Sequence, residues 1–293
     1  MKRKEVITEY GFFNLDKPSG LTSSTLVNKC KWLTGVPCGH MGTLDPLASG
    51  VLPVGVGNAT RLFDYFLEKE KEYIAEFTFG ETSDSLDNTM ETFKGGFIPT
   101  EEEIRSVLAS LCGEVDQIPP KYSAKNVNGQ RSYDLVRAGV SFELAPKKVR
   151  IDEITLLGKS KNPNAYDFRI RCGGGTYIRS IVRDMAEKLG TLGLMSGLRR
   201  VKSGYFTVEN AIPFSYLEKD PSLDKLKEWL IPTEKVLPYP TLTLTGKDEQ
   251  RFFNGVAVET DKEDGLYKIY KDERFYGIAE VKNARAKAKT KLC

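Results

Sequence analysis

The 293 residues contain a single histidine, His40, and five scattered cysteines. One imidazole excludes, within one chain, the two-histidine zinc helix, the Cys2His2 finger and iron sites with two histidine ligands. Ser-His-Asp or Cys-His chemistry would have to run through His40. Cys30, Cys38, Cys112, Cys172 and Cys293 include no C-x-x-C pair. An odd, widely spaced set fits neither a disulfide framework nor a metal site. Reduced thiols and a cytoplasmic setting are therefore expected. No apolar run approaches the roughly 20 residues of a membrane span. Lys2, Arg3 and Lys4 are followed by Glu5 and Glu9 rather than by the apolar core of a signal peptide. P-loop and G-x-G-x-x-G patterns are missing as well, so no nucleotide cofactor is expected.

What is present is an ordinary globular composition, 40% hydrophobic and 28% charged, in a length suited to one large domain or a large and a small one. The net charge of +3 hides opposed segments. Residues 64–103 carry a net −9, residues 119–150 a net +5, residues 169–205 a net +6 and residues 282–293 a net +5. Basic blocks this distinct point to a polyanion partner, with a solvated face as the plain alternative. The acidic block is expected to face away from such a partner.

Hydrophobic spacing predicts a strand over 10–15, a turn over 16–20 and a helix over 22–33. That helix has Thr22 or Ser23 as N-cap and Leu26, Val27, Cys30 and Leu33 on one face. A loop over 36–50 precedes a strand at 51–56 and a helix at 59–67. Residues 73–79 alternate as a strand, and Thr-Glu-Glu-Glu at 100–103 opens a helix with a capping box. A short helix over 132–138 ends at Gly139, and 147–157 with 166–172 form a strand pair. Residues 176–189 read as a helix whose apolar stripe is Ile178, Ile181, Val182, Met185 and Leu189, with Arg179 and Arg183 off the stripe. The prolines at 232, 238 and 240 mark a change of texture. A boundary is expected near Leu237, between a main unit of 1–237 and a small β-rich unit of 238–293. The latter is too short for much core of its own, so a small β-barrel leaning on the main unit is expected.

The most informative stretch is 39–50, GHMGTLDPLASG, with three glycines, the only histidine, and an acid before a proline. Pro46 biases Asp45 toward extended backbone, and glycine permits close approach or positive φ. Such a loop can present one carboxylate at the rim of a sheet. Its plain alternative is a turn in which Asp45 bonds its own backbone.

Residues 39–53, GHMGTLDPLASGVLP, resemble the signature of the TruB family of tRNA pseudouridine synthases. NLDKPSG at 14–20, Lys71-Glu72-Tyr73 with GETSD at 80–84, PPKYSAKNVNGQRSY at 119–133, GTYIR at 175–179 and Leu198-Arg199-Arg200 resemble further motifs in the same order. The match runs over about residues 10–205. Met41 stands where the family more often has threonine, a departure expected to leave the chemistry alone. The C-terminal end resembles a PUA-like RNA-binding domain loosely.

The resemblance implies a mixed α/β (α+β) pseudouridine synthase fold with a largely antiparallel central sheet, plus a PUA-like β-barrel. It implies isomerisation of uridine 55 in the tRNA T-loop, without metal, cofactor or guide RNA, by an enzyme expected to act alone as a monomer. By the family's pattern Asp45 is the nucleophile or base, Arg179 its cationic partner, and Tyr73 the residue that stacks on the uracil. Tyr177 and Leu198 line the substrate pocket. His40 handles the nucleotide flipped out of the RNA loop. Lys17 supports the loop or meets phosphate. The rival readings are a guide-RNA-directed relative, a noncatalytic RNA-binding protein, and a glycosidase. A glycosidase would need a paired acid, and no second carboxylate is close in the Asp45 loop.

Overall fold

The computed structural model describes residues 6–67, 69–123, 125–127 and 129–292. Its frame is a mixed sheet of eleven strands among the described residues. The principal strands and helices, in chain order, are β1 (Gly11–Lys17), α1 (Ser23–Thr34), β2 (Cys38–His40), β3 (Ser49–Val56), β4 (Lys71–Phe79), α2 (Glu101–Leu108), β5 (Gly113–Gln117), β6 (Lys147–Lys159), β7 (Ala165–Cys172), α3 (Ile178–Leu189) and β8 (Gly193–Ser203). Across the sheet the order is β1, β3, β8, β4, β7, β6, β5. Every one of these neighbours is antiparallel except β3 with β8, which run parallel through Arg199↔Ser49 and Arg200↔Gly50. The expected largely antiparallel α/β architecture is found, and the parallel join of β3 with β8 holds the site.

Strand alternation divides the core into two layers. Phe13, Leu15, Leu52 and Val54 face α1, α2 and α3, which contribute Leu26, Cys30, Leu33, Ile104, Ile181, Val182 and Met185. Phe12 and Val51 face the other way, into a cluster with Ala59, Leu62, Phe66 and Phe206. Helix ends follow the local signals. Thr22 accepts from the Thr25 N–H at the start of α1, and Thr100 and Glu103 form the reciprocal capping box of α2. Gly190 closes α3 in the left-handed conformation.

Three local expectations change. β1 continues through Lys17, so the turn begins later. The stretch 36–50 contains β2, a three-residue strand paired with β3. Residues 59–67 form a 3-10 turn, Gly57–Leu62, and a short helix, Asp64–Leu67, rather than one helix.

The C-terminal part comprises α4 (Gly246–Phe253), β9 (Val258–Glu259), β10 (Gly265–Lys271), β11 (Arg274–Lys282) and β12 (Arg285–Lys291). The strands form one antiparallel sheet in the order β9, β12, β11, β10, a half-barrel rather than a closed barrel. The basic tail is not an appendage, because β12 pairs on both sides. Phe275, Ile278 and Leu292 join the second core layer beside Phe12 and Met41, so this sheet shares its core with the main sheet. No helix of the described residues is long and apolar enough to cross a membrane.

Candidate active site

The site lies where the loop before β3 meets the parallel join. Gly50, with φ +100°, lets β3 approach β8: a Cβ there would sit 2.2 Å from the Arg200 carbonyl oxygen. The 41–48 loop is then held from three sides. Ser23 Oγ donates to the Leu44 carbonyl at 2.9 Å, and the Leu44 N–H donates back to it at 3.0 Å. Lys17 Nζ donates to the carbonyls of Pro18, Pro46 and Ala48 at 3.0, 3.2 and 2.6 Å. Arg200 donates from Nε to Val51 O at 2.7 Å, from Nη2 to Gly42 O at 3.0 Å, and from Nη1 toward Thr43 O at 3.5 Å. The loop backbone is thereby fixed, and the Asp45 side chain, 37% exposed, looks outward.

Asp45 does not turn back on its own backbone. Its Oδ2 meets Arg179 Nε at 3.0 Å. Arg179, on the first turn of α3, is 6% exposed, so it lies off the apolar stripe yet out of solvent. Its Nη1 donates to Ser85 O at 2.9 Å, its Nη2 to Tyr122 O at 3.0 Å, and Nη1 stands 3.4 Å from Asp87 Oδ2. Asp87 is itself held by Ser85 Oγ at 2.7 Å, by the Thr89 N–H at 3.1 Å and by the Thr89 hydroxyl. One guanidinium thus serves two carboxylates, and its orientation is set by four acceptors.

A cavity of about 320 Å³ opens beside this pair. That is at the small end of ligand pockets. Asp45, Tyr73, Tyr177, Arg179 and Leu198 all line it, so five of the seven residues singled out from the sequence converge. Tyr73 is buried on β4, directly opposite Arg200 on β8. Burial pushes its hydroxyl up to about 12, against the opposing pull of the Arg200 charge and hydrogen bond. Tyr177 caps α3, its N–H donating to Gln117 Oε1 at 2.8 Å while Gln117 Nε2 donates to its carbonyl at 3.1 Å.

Two residues do not line the cavity. His40 sits on β2, paired with Val54, and its buried Nδ1 has no hydrogen-bond partner among the described residues. Burial and then the Arg200 charge lower its pKa, favouring the neutral imidazole. Lys17 is fully buried, and its ammonium is turned to loop carbonyls, so it offers no surface to phosphate and acts as the loop's anchor. Met41 is more engaged than expected: it lines the cavity while packing into the second core layer.

Residues 31–178 match the model of the TruB family pseudouridylate synthase N-terminal domain. Residues 179–238 match the tRNA pseudouridylate synthase B C-terminal domain. Relatives named tRNA pseudouridine synthase B include one from Caulobacter sp. (strain K31), 39% identical, covering 88% of this chain and 84% of the relative. Another, from Clostridium kluyveri, is 34% identical over 94% of this chain and 97% of its own. This chain belongs to the TruB family. Among solved structures, a Cbf5-Nop10-Gar1 complex contains a chain that superposes with a TM-score of 0.69 over 100% of this chain and 92% of its own. At 23% identity that likeness speaks for the fold alone.

Set within the TruB family, the site holds three side chains that sequence reading left without a role. Asp87 lies in the acidic block expected to face away, yet that block sends a carboxylate to the back of Arg179. Arg200 and Lys71 line the cavity although only their neighbours drew attention. For Arg200 a signal existed: alternation along β8 puts one arginine of the pair inside. Arg199, on the other side, binds Asp16 at 2.9 Å.

Proposed function

We propose that this chain is the tRNA pseudouridine synthase of its family's kind, converting uridine 55 of the T-loop to pseudouridine. One observation carries the reading: an outward-facing Asp45 carboxylate held by a buried arginine at the rim of a cavity lined by Tyr73. The isomerisation breaks the C1′–N1 bond, turns the uracil and joins C1′ to C5. It imports no group and changes no oxidation state. Asp45 acts at the sugar, either by adding to C1′ or by taking the C2′ proton, and both routes need an ionised carboxylate. Arg179 holds the carboxylate in position, its Nε 3.0 Å from Asp45 Oδ2. Tyr73 stacks on the base, and Tyr177 and Leu198 close the pocket around it.

The target base must leave its stack to enter, at a cost of a few kcal/mol. His40 supports that state beside the loop, its buried Nδ1 having no hydrogen-bond partner among the described residues. Residues 1–237 form the catalytic unit and 238–293 the RNA-binding unit, where exposed Arg285, Lys287 and Lys291 meet phosphate. The enzyme works in the cytoplasm as a monomer on tRNA, without guide RNA. Incubation with unmodified tRNA, with neither metal nor guide RNA added, should place one pseudouridine in the T-loop, and Asp45→Asn should place none while still binding. Wild type that binds tRNA without converting it would leave a binding protein.

A further inference from the structure

Two sets of charged groups line the cavity. Arg179 is shared between Asp45 and Asp87, so that set holds two carboxylates and one cation. Arg200 also lines the cavity, 1% exposed, its partners the carbonyls of Gly42, Thr43 and Val51. It takes part in none of the ion pairs found within 4.0 Å among the described residues. Lys71, whose Nζ donates to the Lys69 carbonyl at 3.0 Å, lies near Arg200: a point one bond out from the Gly42 backbone lies 3.8 Å from Arg200 Nη1 and 4.0 Å from Lys71 Cε. Gly42 has φ +129° and no side chain, so both cations flank an open position three residues before Asp45. A buried guanidinium is costly unless something in the site uses its charge.

We propose that Arg200, with Lys71 beside it, is the anion-stabilising wall of the cavity, holding the excised uracil as its monoanion while the sugar is held on the Asp45 side. This rests on the pseudouridine synthase reading. When C1′–N1 breaks, the electron pair goes to N1 and the base leaves as an anion. C1′ is satisfied by an Asp45 oxygen or, on the other route, by loss of its neighbouring C2′ proton to Asp45. When C5 then bonds C1′, the Asp45 ester breaks or the C2′ proton returns, C5 loses its proton, and N1 gains one. The only net negative charge on the base arises between those steps. It arises in a low-dielectric site where a fixed cation is most effective. Arg200 acts through this field and through the Tyr73 hydroxyl. A backbone phosphate is the other anion in the substrate, but Arg200 and Lys71 are buried, 1% and 7% exposed, and line the cavity that takes the base.

The test uses the Asp45→Asn protein, which retains intact RNA. A T-loop RNA carries 5-fluorouridine at the target, and its 19F resonance follows ionisation at N3. That ionisation puts one negative charge on the same ring without breaking the glycosidic bond. The bound base should ionise roughly one pH unit or more below the free RNA, the size expected of a close opposite charge. Arg200→Gln and, separately, Lys71→Met in the same background should each raise it again, and Arg200→Lys should restore most of the shift. The two sites cover the case in which one variant loosens the loop. A bound base that ionises at or above the free value, or a shift that survives both variants, overturns the proposal. So does a variant that leaves the titration alone but lowers the salt dependence of binding by about one phosphate contact. If wild type makes no pseudouridine, the functional reading falls. If it makes pseudouridine and the bound base is unshifted, only the anion wall falls.

Discussion

Basic side chains do different work at the two ends of this chain. Around the cavity, Lys17, Arg179 and Arg200 are buried, and named carbonyls or carboxylates take their N–H groups. On β12, Arg285, Lys287, Lys289 and Lys291 are exposed. The ion pair found there, Lys289 with Glu280 at 2.6 Å, lies at the surface. A buried cation is directional and nearly blind to salt, whereas an exposed one is screened within about 10 Å at 0.1 M salt. The first kind fixes geometry and the second gathers a polyanion. Charge counts treat them alike, which is why a net of +3 says so little here.

The sharpest cut between the two is at Asp45. Asp45→Asn should reduce single-turnover conversion by roughly 10⁴-fold or more, at the upper end of what one acid-base or nucleophilic group supplies. RNA affinity and its salt dependence should stay unchanged, as a filter-binding series would report. Loss of binding together with activity would mean that the cavity also gathers the RNA, and the contrast would fail. Next in size is Arg179→Met. It strands Asp87, which is 4% exposed, without its cation. Removing one partner of a buried pair typically costs about 3–5 kcal/mol, so the variant should lose stability in urea as well as activity. Asp45→Asn should lose activity alone, and equal stability in the two variants would show that Asp87 is satisfied by Ser85 and Thr89.

Much of this was legible along the chain, and the reason is locality. The α3 stripe, the Thr100 capping box and the Gly190 stop are written within a few residues of the structures they specify. β2 was not, because three residues, Cys-Gly-His, carry no period to read. The seam between 3-10 turn and helix at Phe63 carries no glycine or proline to announce it. Within the site, Asp45 and Tyr73 could be read from motifs, but Asp87 lies in a run of acids that resembles a solvated face. Its burial comes from Arg179, 92 positions away in sequence, and only the folded sheet brings them together. The strand in the basic segment 282–293 was hidden for a similar reason. Its alternation of charged and small residues, Arg-Ala-Lys-Ala-Lys, reads as a charged end until Ala286 is seen buried at 0%.

Alkaline pH sets the buried lysines against the exposed ones in a test of intermediate size. Desolvation lowers Lys71 to about 8 from an ordinary 10.5, and Lys17 likewise. The folded pKa is below the unfolded one, so between about 8 and 10.5 the unfolded chain binds more protons. Stability should therefore rise with pH across that window, by linkage. Activity should move the other way: as Lys71 loses its charge, the single-turnover rate should fall about fivefold from pH 8 to pH 9. Urea midpoints and rates measured on the same samples would show opposite slopes. The Lys71→Met protein should be slower and should lack this alkaline limb. A shared slope would mean that the lysines matter only to folding. Lys289 of β12, whose pKa the Glu280 hydrogen bond raises, should act in the opposite sense, its stabilising contribution fading only above the ordinary 10.5.

The smallest effect belongs to β12 itself. Lys287→Gln with Lys291→Gln removes two exposed charges from a strand whose backbone pairing continues on both sides. The sheet keeps Ala286, Ile278 and Leu292 in its cores, so stability should change little. Each lysine that meets a phosphate contributes about one unit to the slope of log affinity against log salt. The double variant should thus flatten that slope by up to about two, weaken binding at low salt, and leave the rate at saturating RNA unchanged. An unchanged slope would take β12 out of the RNA-contacting surface. The gathering role would then pass to the basic blocks over 119–150 and 169–205, whose charges lie on the same unit as the cavity.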